Sequence, residues 1–284
     1  MANEEQVALI KKGTKAWNDW RAKNPNAEVD LSYADLSHAD LISVNLSRAK
    51  LIETRLGNAL LSCADFSGAL LYDANLDSAT LRSAKFGAAQ LKNVSLRSAQ
   101  LSKANFNFAE LKGVDLSGAT LNFANFCNAI LNEVNCSEAK LIRAKLIGAT
   151  LSTTQLDSAN LSRAKLIKTH LVGADLTWAD LSKAKLIGAD LMRANLSGAD
   201  LNGADCSDIS LVEAQVLNTS FYMATLTGAC IQDWHYGNST TIKGVKCNYI
   251  FRAYDFESRK FIERFPIDLN STFAPREFEQ WMEI

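Results

Sequence analysis

Residues that break or cross-link a fold are scarce in this sequence. Proline occurs three times in 284 residues, as Pro25, Pro266 and Pro275, which leaves residues 26–265 free of it. Such a segment suits paired strands, in which every backbone N–H is needed. The six cysteines form no Cys-x-x-Cys pair, which excludes the usual zinc and dithiol spacings and favours reduced thiols over a disulfide framework.

Long apolar runs and a strong net charge are also missing. No apolar stretch approaches the roughly twenty residues that span a bilayer, and the acidic N-terminal segment does not resemble an export signal. The formal net charge of -1 gives no global field that would attract nucleic acid. The sequence therefore predicts a cytoplasmic protein with no membrane span, and it disfavours nucleic acid as a partner.

What the sequence does contain is a period of five. From Leu31 to Ile231 every fifth residue is apolar, and 37 of these 41 positions are Leu or Phe. Two residues before each lies a small residue, which is Ala in 31 of the 41 cases. A period of five matches neither the helical repeat of roughly 3.6 residues nor the alternation of a strand. It predicts a chain that turns a corner every five residues, with the apolar and small side chains inside.

A second period, of twenty residues, indicates how many corners make one coil. The tetrapeptide Ala-Lys-Leu-Ile begins at Ala144, Ala164 and Ala184. Before Phe221, the phenylalanines of the five-residue series are Phe66, Phe86, Phe106 and Phe126. Recurrence after twenty residues favours four corners per coil over three.

These repeats resemble those of a known family. Segments such as Ala34-Asp-Leu-Ser-His38 and Ala194-Asn-Leu-Ser-Gly198 are similar to the motif of pentapeptide-repeat proteins, and the uninterrupted phase resembles the cyanobacterial-type members. The resemblance covers Val29 to Ile231. It implies an all-β fold, a right-handed quadrilateral parallel β-helix (a solenoid) of about ten coils.

Both ends of the chain differ from the repeat, which predicts three regions. Residues 1–28 are predicted to form an N-terminal helical cap, 29–231 the β-helix, and 232–284 a C-terminal cap or small docking module. One amphipathic helix is expected over residues 3–23, with Val7, Ile10, Thr14, Trp17 and Arg21 on one face. A hairpin is expected from Cys247–Tyr254 and Ser258–Arg264, followed by a short helix that Pro275 opens and that runs through Trp281.

The sequence shows no constellation that would support catalysis. His38, His170 and His235 fall in different columns without evident partners, and there is no glycine-rich phosphate loop. Cys136 and Cys206 replace core leucines, whereas Cys63 and Cys127 point outward. We expect no enzyme activity, no cofactor and no metal site.

Stacking at twenty residues also predicts which side chains share the outer surface. Two columns are basic: Lys145, Lys165 and Lys185, and beside them Arg143, Arg163 and Lys183. Two positions that follow a core leucine are apolar: Ile147, Ile167 and Ile187, and on the next face Val172, Met192 and Val212. Two interpretations stay open. In the first, the columns have no binding role: β-branched residues suit the wall of a strand, and tandem duplication of one coil repeated them. In the second, the columns form a surface for binding or dimerisation.

Two functions follow from these observations. The leading hypothesis is a non-catalytic scaffold that presents a rigid surface to a protein partner or to a second copy of itself. The alternative comes from the family resemblance, in which some members act as DNA mimics that regulate DNA gyrase. A near-neutral charge and the absence of inserted loops disfavour that alternative.

Overall fold

The computed structural model describes residues 3–274 and 276–282. Its contacts divide the chain into two compact units, Met1–Lys145 and Leu146–Ile284. In the first unit the elements are α1 (Glu4–Ile10), α2 (Thr14–Lys23), β1 (Leu70–Tyr72), β2 (Gln90–Lys92), β3 (Glu110–Lys112) and β4 (Ile130–Asn132). In the second they are β5 (Ala229–Cys230), β6 (Ile250–Asp255), β7 (Lys260–Phe265) and α3 (Glu277–Met282).

Strand pairing follows the twenty-residue period. Strands β1 to β4 form a parallel sheet in sequence order, in which Leu71 aligns with Leu91 and Leu91 with Leu111. Single bridges between other positions twenty residues apart continue the pattern in both units, as in Lys165–Lys185. Each coil therefore takes twenty residues in four steps of five, as the sequence predicts, and the fold is a parallel β-helix.

The inside of the helix holds the residues of the five-residue series. Its leucines and the small residues two positions earlier are buried. Phe66, Phe86, Phe106 and Phe126 stack with centroid separations of 4.6 to 4.8 Å and nearly parallel rings. This spacing equals the strand separation of about 4.8 Å, so the rings follow the stacking of the backbone.

Local hydrogen bonds explain why Asp and Asn so often precede the core residue. The Asp65 carboxylate accepts from the Ser67 amide at 2.9 Å, and the same contact recurs in many coils, for example from Ser182 to Asp180. The second residue after each core position forms the corner with a left-handed backbone, as at Lys183 with φ +58°. Because the side chain bonds the backbone just before this corner, it stabilises a turn that few residues favour.

The N-terminal helix prediction is wrong in one respect. The expected single helix is two helices, because the chain breaks at Lys11, Lys12 and Gly13, where Gly13 takes φ +108°. Of the predicted face, Ile10, Trp17 and Arg21 are buried, and Val7 and Thr14 are half-buried.

An amide side chain from each helix bonds the backbone edge of the first coil. Gln6 Nε2 donates to the Glu28 carbonyl at 2.8 Å, and its Oε1 accepts from the Asp30 amide at 2.9 Å. The Asn18 amide contacts the next face in the same manner, at 2.9 Å to the Ser43 carbonyl and 2.8 Å from the Asn45 amide. In both cases one side-chain amide meets a carbonyl and an N–H two residues apart, as a strand peptide does.

The C-terminal hairpin prediction is confirmed. Strand β6 pairs in parallel with β5 and antiparallel with β7, with Ala253 opposite Ile262. Helix α3 buries Phe278 and Met282. Pro275, which was expected to open this helix, lies outside the described residues.

Candidate interaction surface

An apolar column lies on one face of the second unit. Ile147, Ile167 and Ile187 each follow a buried leucine, and each side chain is half-buried. The Gly148 amide donates to the Ile167 carbonyl at 3.0 Å, and the Lys168 amide donates to the Ile187 carbonyl at 3.0 Å. The three isoleucines therefore occupy successive coils and are stacked at about the 4.8 Å strand spacing.

Cationic side chains flank this column. Lys165 and Lys185 form a parallel bridge pair and are both exposed. Arg163 and Lys183 occupy the preceding corners, with φ +59° and +58°, and are exposed as well. The structure thus brings together four of the six basic residues of the sequence prediction in one unit.

Lys168 belongs to the same surface, although the sequence prediction missed it. It forms the corner after Ile167 and is exposed. Its Cγ lies 3.7 Å from the position that a Cβ on Gly188 would take. The lysine stem therefore extends toward the next coil, beside Ile187. The same corner position is glycine in the coil before, at Gly148, and in the coil after, at Gly188. These small residues were the sequence signal that the side chain of Lys168 has room at this corner.

None of these cations has an acidic partner within residues 3–274 and 276–282. Elsewhere, some charges stacked twenty residues apart form ion pairs, as in Asp77–Arg97 at 2.6 Å and Arg193–Glu213 at 2.7 Å. The hydrogen bond from Arg193 lowers the pKa of Glu213. The ion pairs of the described residues include none of Arg163, Lys165, Lys168, Lys183 and Lys185.

The nearby acids form contacts with their own coils. Asp205, which follows Lys185 in the same column, accepts from the hydroxyl of Ser207 at 2.7 Å. Asp190 accepts from the Met192 amide at 3.1 Å. These carboxylates stabilise corners, and neither forms an ion pair with the five cations among the described residues.

The second apolar column is shorter than predicted. Val172 and Met192 are half-buried and stacked, because the Gly173 amide donates to the Met192 carbonyl at 2.9 Å. Val212 is fully buried, so the prediction that it is a surface residue is wrong. The physical reason lies in the non-repeating segment that follows.

Residues of β6 cover the outer face near Val212. The Cys230 thiol, one coil later, contacts the Ala253 carbonyl at 3.5 Å. The amide of Tyr254 donates to Gln232 Oε1 at 2.6 Å. Positions that face outward elsewhere in the repeat are therefore enclosed here, and Cys230 is also fully buried.

Arg143 and Lys145 are the two predicted residues that lie in the first unit. The Arg143 guanidinium lies 5.7 Å from the Phe123 ring centre, a cation–π contact between neighbouring corners of one column. Lys145 pairs with Asn125 across a parallel bridge. The side chains of Arg143 and Lys145 are both exposed.

A loop outside the repeat presents two further apolar residues. Ile267 and Leu269 are each 79% exposed. Arg264 fixes this loop, because it donates to the Asp268 carbonyl at 2.7 Å and to the Ser271 carbonyl at 3.0 Å. The sequence pattern did not predict this surface, because the loop is held in place by one arginine and lies outside the five-residue repeat.

The described residues hold no group of three or more His, Cys, Asp or Glu that is arranged to bind a metal ion. Burial raises the pKa of the Cys136 thiol, which stands at a core leucine position, to about 12. Burial also raises the pKa of the Cys206 thiol. These two thiols are therefore protonated packing groups rather than nucleophiles. Among the described residues, no helix is both long and apolar enough to cross a bilayer.

Comparison with solved structures identifies related folds. HetL, a pentapeptide-repeat protein involved in heterocyst differentiation regulation from the cyanobacterium Nostoc sp. strain PCC 7120, is 29% identical. The match covers 78% of this chain and 92% of HetL, with a TM-score of 0.60. Rfr23 from the cyanobacterium Cyanothece 51142 is 24% identical over 41% of this chain and 63% of its own, with a TM-score of 0.25.

A third structure is a trypsin-treated variant of QnrB1, a plasmid-mediated fluoroquinolone resistance protein. It is 18% identical over 78% of this chain and 90% of its own, with a TM-score of 0.36. No curated protein sequence matches the chain at a significant level.

The family model described as pentapeptide repeats matches the chain in overlapping copies that together span residues 27–157 and 159–198. These residues are more than half of the chain, and they contain the five-residue series that forms the core. The right-handed β-helix of the family matches the parallel coils observed here. The chain belongs to the pentapeptide-repeat family.

Proposed function

We propose that the chain is a non-catalytic interaction scaffold, and that the face around Ile147, Ile167 and Ile187 contacts a protein partner. The observation that carries the proposal is the set of five cations without acidic partners beside three stacked, half-buried isoleucines. The partner surface that fits is acidic, with an apolar centre.

Physical chemistry supports this pairing of groups. Contact with an apolar partner surface removes the isoleucines from water, at about 25 cal/mol for each Å² buried. The surrounding cations attract and orient an acidic partner and exclude basic ones, so they contribute mainly to association rate and specificity. Similarity to HetL supports a regulatory or scaffold role. The cytoplasmic location remains a prediction of the sequence.

The test is partner recovery with purified variants. We expect the triple variant Ile147→Asp/Ile167→Asp/Ile187→Asp to lose a partner that the unmodified protein retains on affinity beads. The matched control is Thr177→Asp/Ser197→Asp/Leu217→Asp, which places the same charges at the equivalent positions two corners away from the isoleucines. Equal recovery by the unmodified protein and the isoleucine variant contradicts the proposal.

The DNA-mimic alternative requires a strongly negative surface. The unpaired charges of this face are positive, and no specific observation favours gyrase as the target. A supercoiling assay with and without a quinolone tests it directly, since protection at stoichiometric protein would place the alternative first.

We also propose that residues 1–28 and 232–284 cap the two ends of the β-helix of residues 29–231. Support at the N-terminal side comes from the amides of Gln6 and Asn18, which bond the edge of the first coil. Support at the other side comes from Glu279, whose carboxylate accepts from the Gly244 amide at 2.9 Å. A backbone group that is bonded in this way is not free to pair with another chain.

A further inference from the structure

A groove of about 1430 Å³ lies in the second unit, between the last coil and the C-terminal tail. Residues 237–238 and 240–248 of the coil form its floor, and side chains of the tail form one wall. That wall is apolar, and its side chains Phe273, Phe278 and Met282 are buried. Tyr222 and Tyr236 stand at the rim, each almost half exposed.

The floor carries backbone donors that elsewhere in the repeat are bonded. The Phe221 amide donates to the Thr241 carbonyl of the following coil at 2.7 Å, and the Leu226 amide donates to Lys246 at 2.9 Å. Ile242 and Cys247 hold the equivalent positions one coil later. Neither amide has an acceptor within the part of the chain that the structure describes, and both residues line the groove.

One donor of this edge is already bonded to a carboxylate. Gly244, between those two residues, donates its amide to the carboxylate of Glu279 at 2.9 Å. A carboxylate oxygen thus takes the position that a backbone carbonyl of a further coil would occupy. The edge therefore accepts acidic groups as well as peptide carbonyls.

The charge of the groove also favours an acidic occupant. Lys243, Lys246 and Arg276 line it, and none of them forms an ion pair among the described residues. Among the described residues, Glu279 is the acid that lines the same groove, and its carboxylate already bonds Gly244. The groove thus offers an excess of positive charge beside an apolar wall.

We propose that this groove binds an acidic peptide segment of another protein, which follows the corner of the coil at Gly244 and pairs with the amides of Ile242 and Cys247 as an added strand. Strand addition to an open sheet edge gives affinity through backbone hydrogen bonds and specificity through side-chain pockets. Acidic side chains face the three cations, and apolar side chains contact the exposed rings of Tyr222 and Tyr236 at the rim. The site is separate from the isoleucine column and does not depend on that column being functional.

Nucleic acid is the other polyanion that the cations would attract. The phosphates of a nucleic acid would make no favourable contact with the apolar wall. The two free amides lie five residues apart, which is the spacing at which successive coils of the repeat pair with each other. These features favour the peptide, and the test includes nucleic acid as a competitor.

The test uses the full chain and a fluorescein-labelled peptide of alternating Glu and Val, with fluorescence anisotropy as the measurement. We expect saturable binding that weakens roughly tenfold in Lys243→Glu/Lys246→Glu and with added salt, because the charges are exposed. The matched control, Lys103→Glu/Lys112→Glu, changes the same charges at exposed positions outside both the groove and the isoleucine face, and is expected to bind normally. Circular dichroism checks that both variants fold.

Amide hydrogen exchange supplies a second readout that charge attraction alone does not move. Peptide binding is expected to slow exchange at Ile242 and Cys247, and to leave Thr241 and Lys246 unchanged, because these already donate to Thr219 and Ala224. Equal binding of a Lys-Val peptide, displacement by single-stranded DNA of equal charge, or unchanged exchange at both amides would overturn the proposal. Failure of the isoleucine variant test would leave these outcomes unaffected.

Discussion

Phe106 illustrates what one core position contributes. Its ring lies between those of Phe86 and Phe126, at centroid distances of 4.6 and 4.7 Å, and the side chain is fully buried. The neighbours in the column are held by the backbone ladders of their own coils, so they cannot move far to fill a vacancy. A repeating column therefore relaxes less than an irregular core.

Replacing this ring tests that argument. Phe106→Ala is expected to lower the free energy of unfolding by about 3–5 kcal/mol, through lost burial and an unfilled cavity. Phe106→Leu, which matches the common residue of the series, is expected to cost clearly less. Urea unfolding followed by circular dichroism measures both. Equal losses in the two variants would mean that ring stacking, not filled volume, stabilises the column.

Exposed lysines of the repeat differ in the charge of the residue stacked on them in the neighbouring coil. The ammonium group of Lys85 lies 3.6 Å from Asp65, within the same column. Lys165 and Lys185 stack on each other instead, a repulsive arrangement that a fold has no reason to prefer. The same like-charge stacking occurs between Lys92 and Lys112, so stacking alone does not mark a binding surface.

At the scale of elements, α2 shows how a helix can satisfy a strand edge. Besides the two hydrogen bonds of Asn18, the indole of Trp17 donates to the Asn45 carbonyl at 2.8 Å. Arg21 donates to the Ser47 carbonyl at 2.9 Å. Three side chains of α2 thus form hydrogen bonds with the backbone of the extended segment 43–47.

The amide of Asn18 can be tested directly. Asn18→Ala is expected to lower the free energy of unfolding by about 1–2 kcal/mol, because an N–H and a carbonyl of the first coil lose their partners. Lys15→Ala, on the exposed side of the same helix, is the control and is expected to have little effect. Thermal unfolding gives the stability, and light scattering reports whether the exposed edge causes association. No difference between the two variants would contradict the capping role.

At the scale of the whole molecule, the six thiols report on folding along most of the chain. Cys136, Cys206, Cys230 and Cys247 are buried, Cys127 is half-buried and Cys63 is exposed. Burial raises the pKa of Cys247 to about 12, as it does for Cys136. A thiol with a raised pKa carries almost no thiolate near neutral pH, so it is unreactive until it is exposed.

Thiol titration at pH 8 should therefore separate into classes. We expect one fast reaction with a chromogenic disulfide, which Cys63→Ser abolishes, and a slower one from Cys127. The remaining four thiols are expected to react only after denaturant is added. Reaction of a third thiol in the native protein would contradict the packing described for both units.

The sequence by itself determined the repeating part of this protein. A residue such as Leu166 reaches the core through its own five-residue step, and Lys185 aligns with Lys165 because each coil copies the last. Local steps fixed both the period and the columns. The hairpin of β6 and β7 was also predictable, since its two strands are adjacent in sequence.

Only the tertiary structure decided the features that depend on non-repeating neighbours. Val212 follows the surface pattern yet is buried, because β6 covers the coils beside it. Gly13 divides the N-terminal helix, and Glu279 reaches Gly244 from a segment with no period. The C-terminal groove likewise exists only because the tail covers part of the last coil. These contacts join segments distant in sequence, and a pattern of local steps carries no information about where such segments meet.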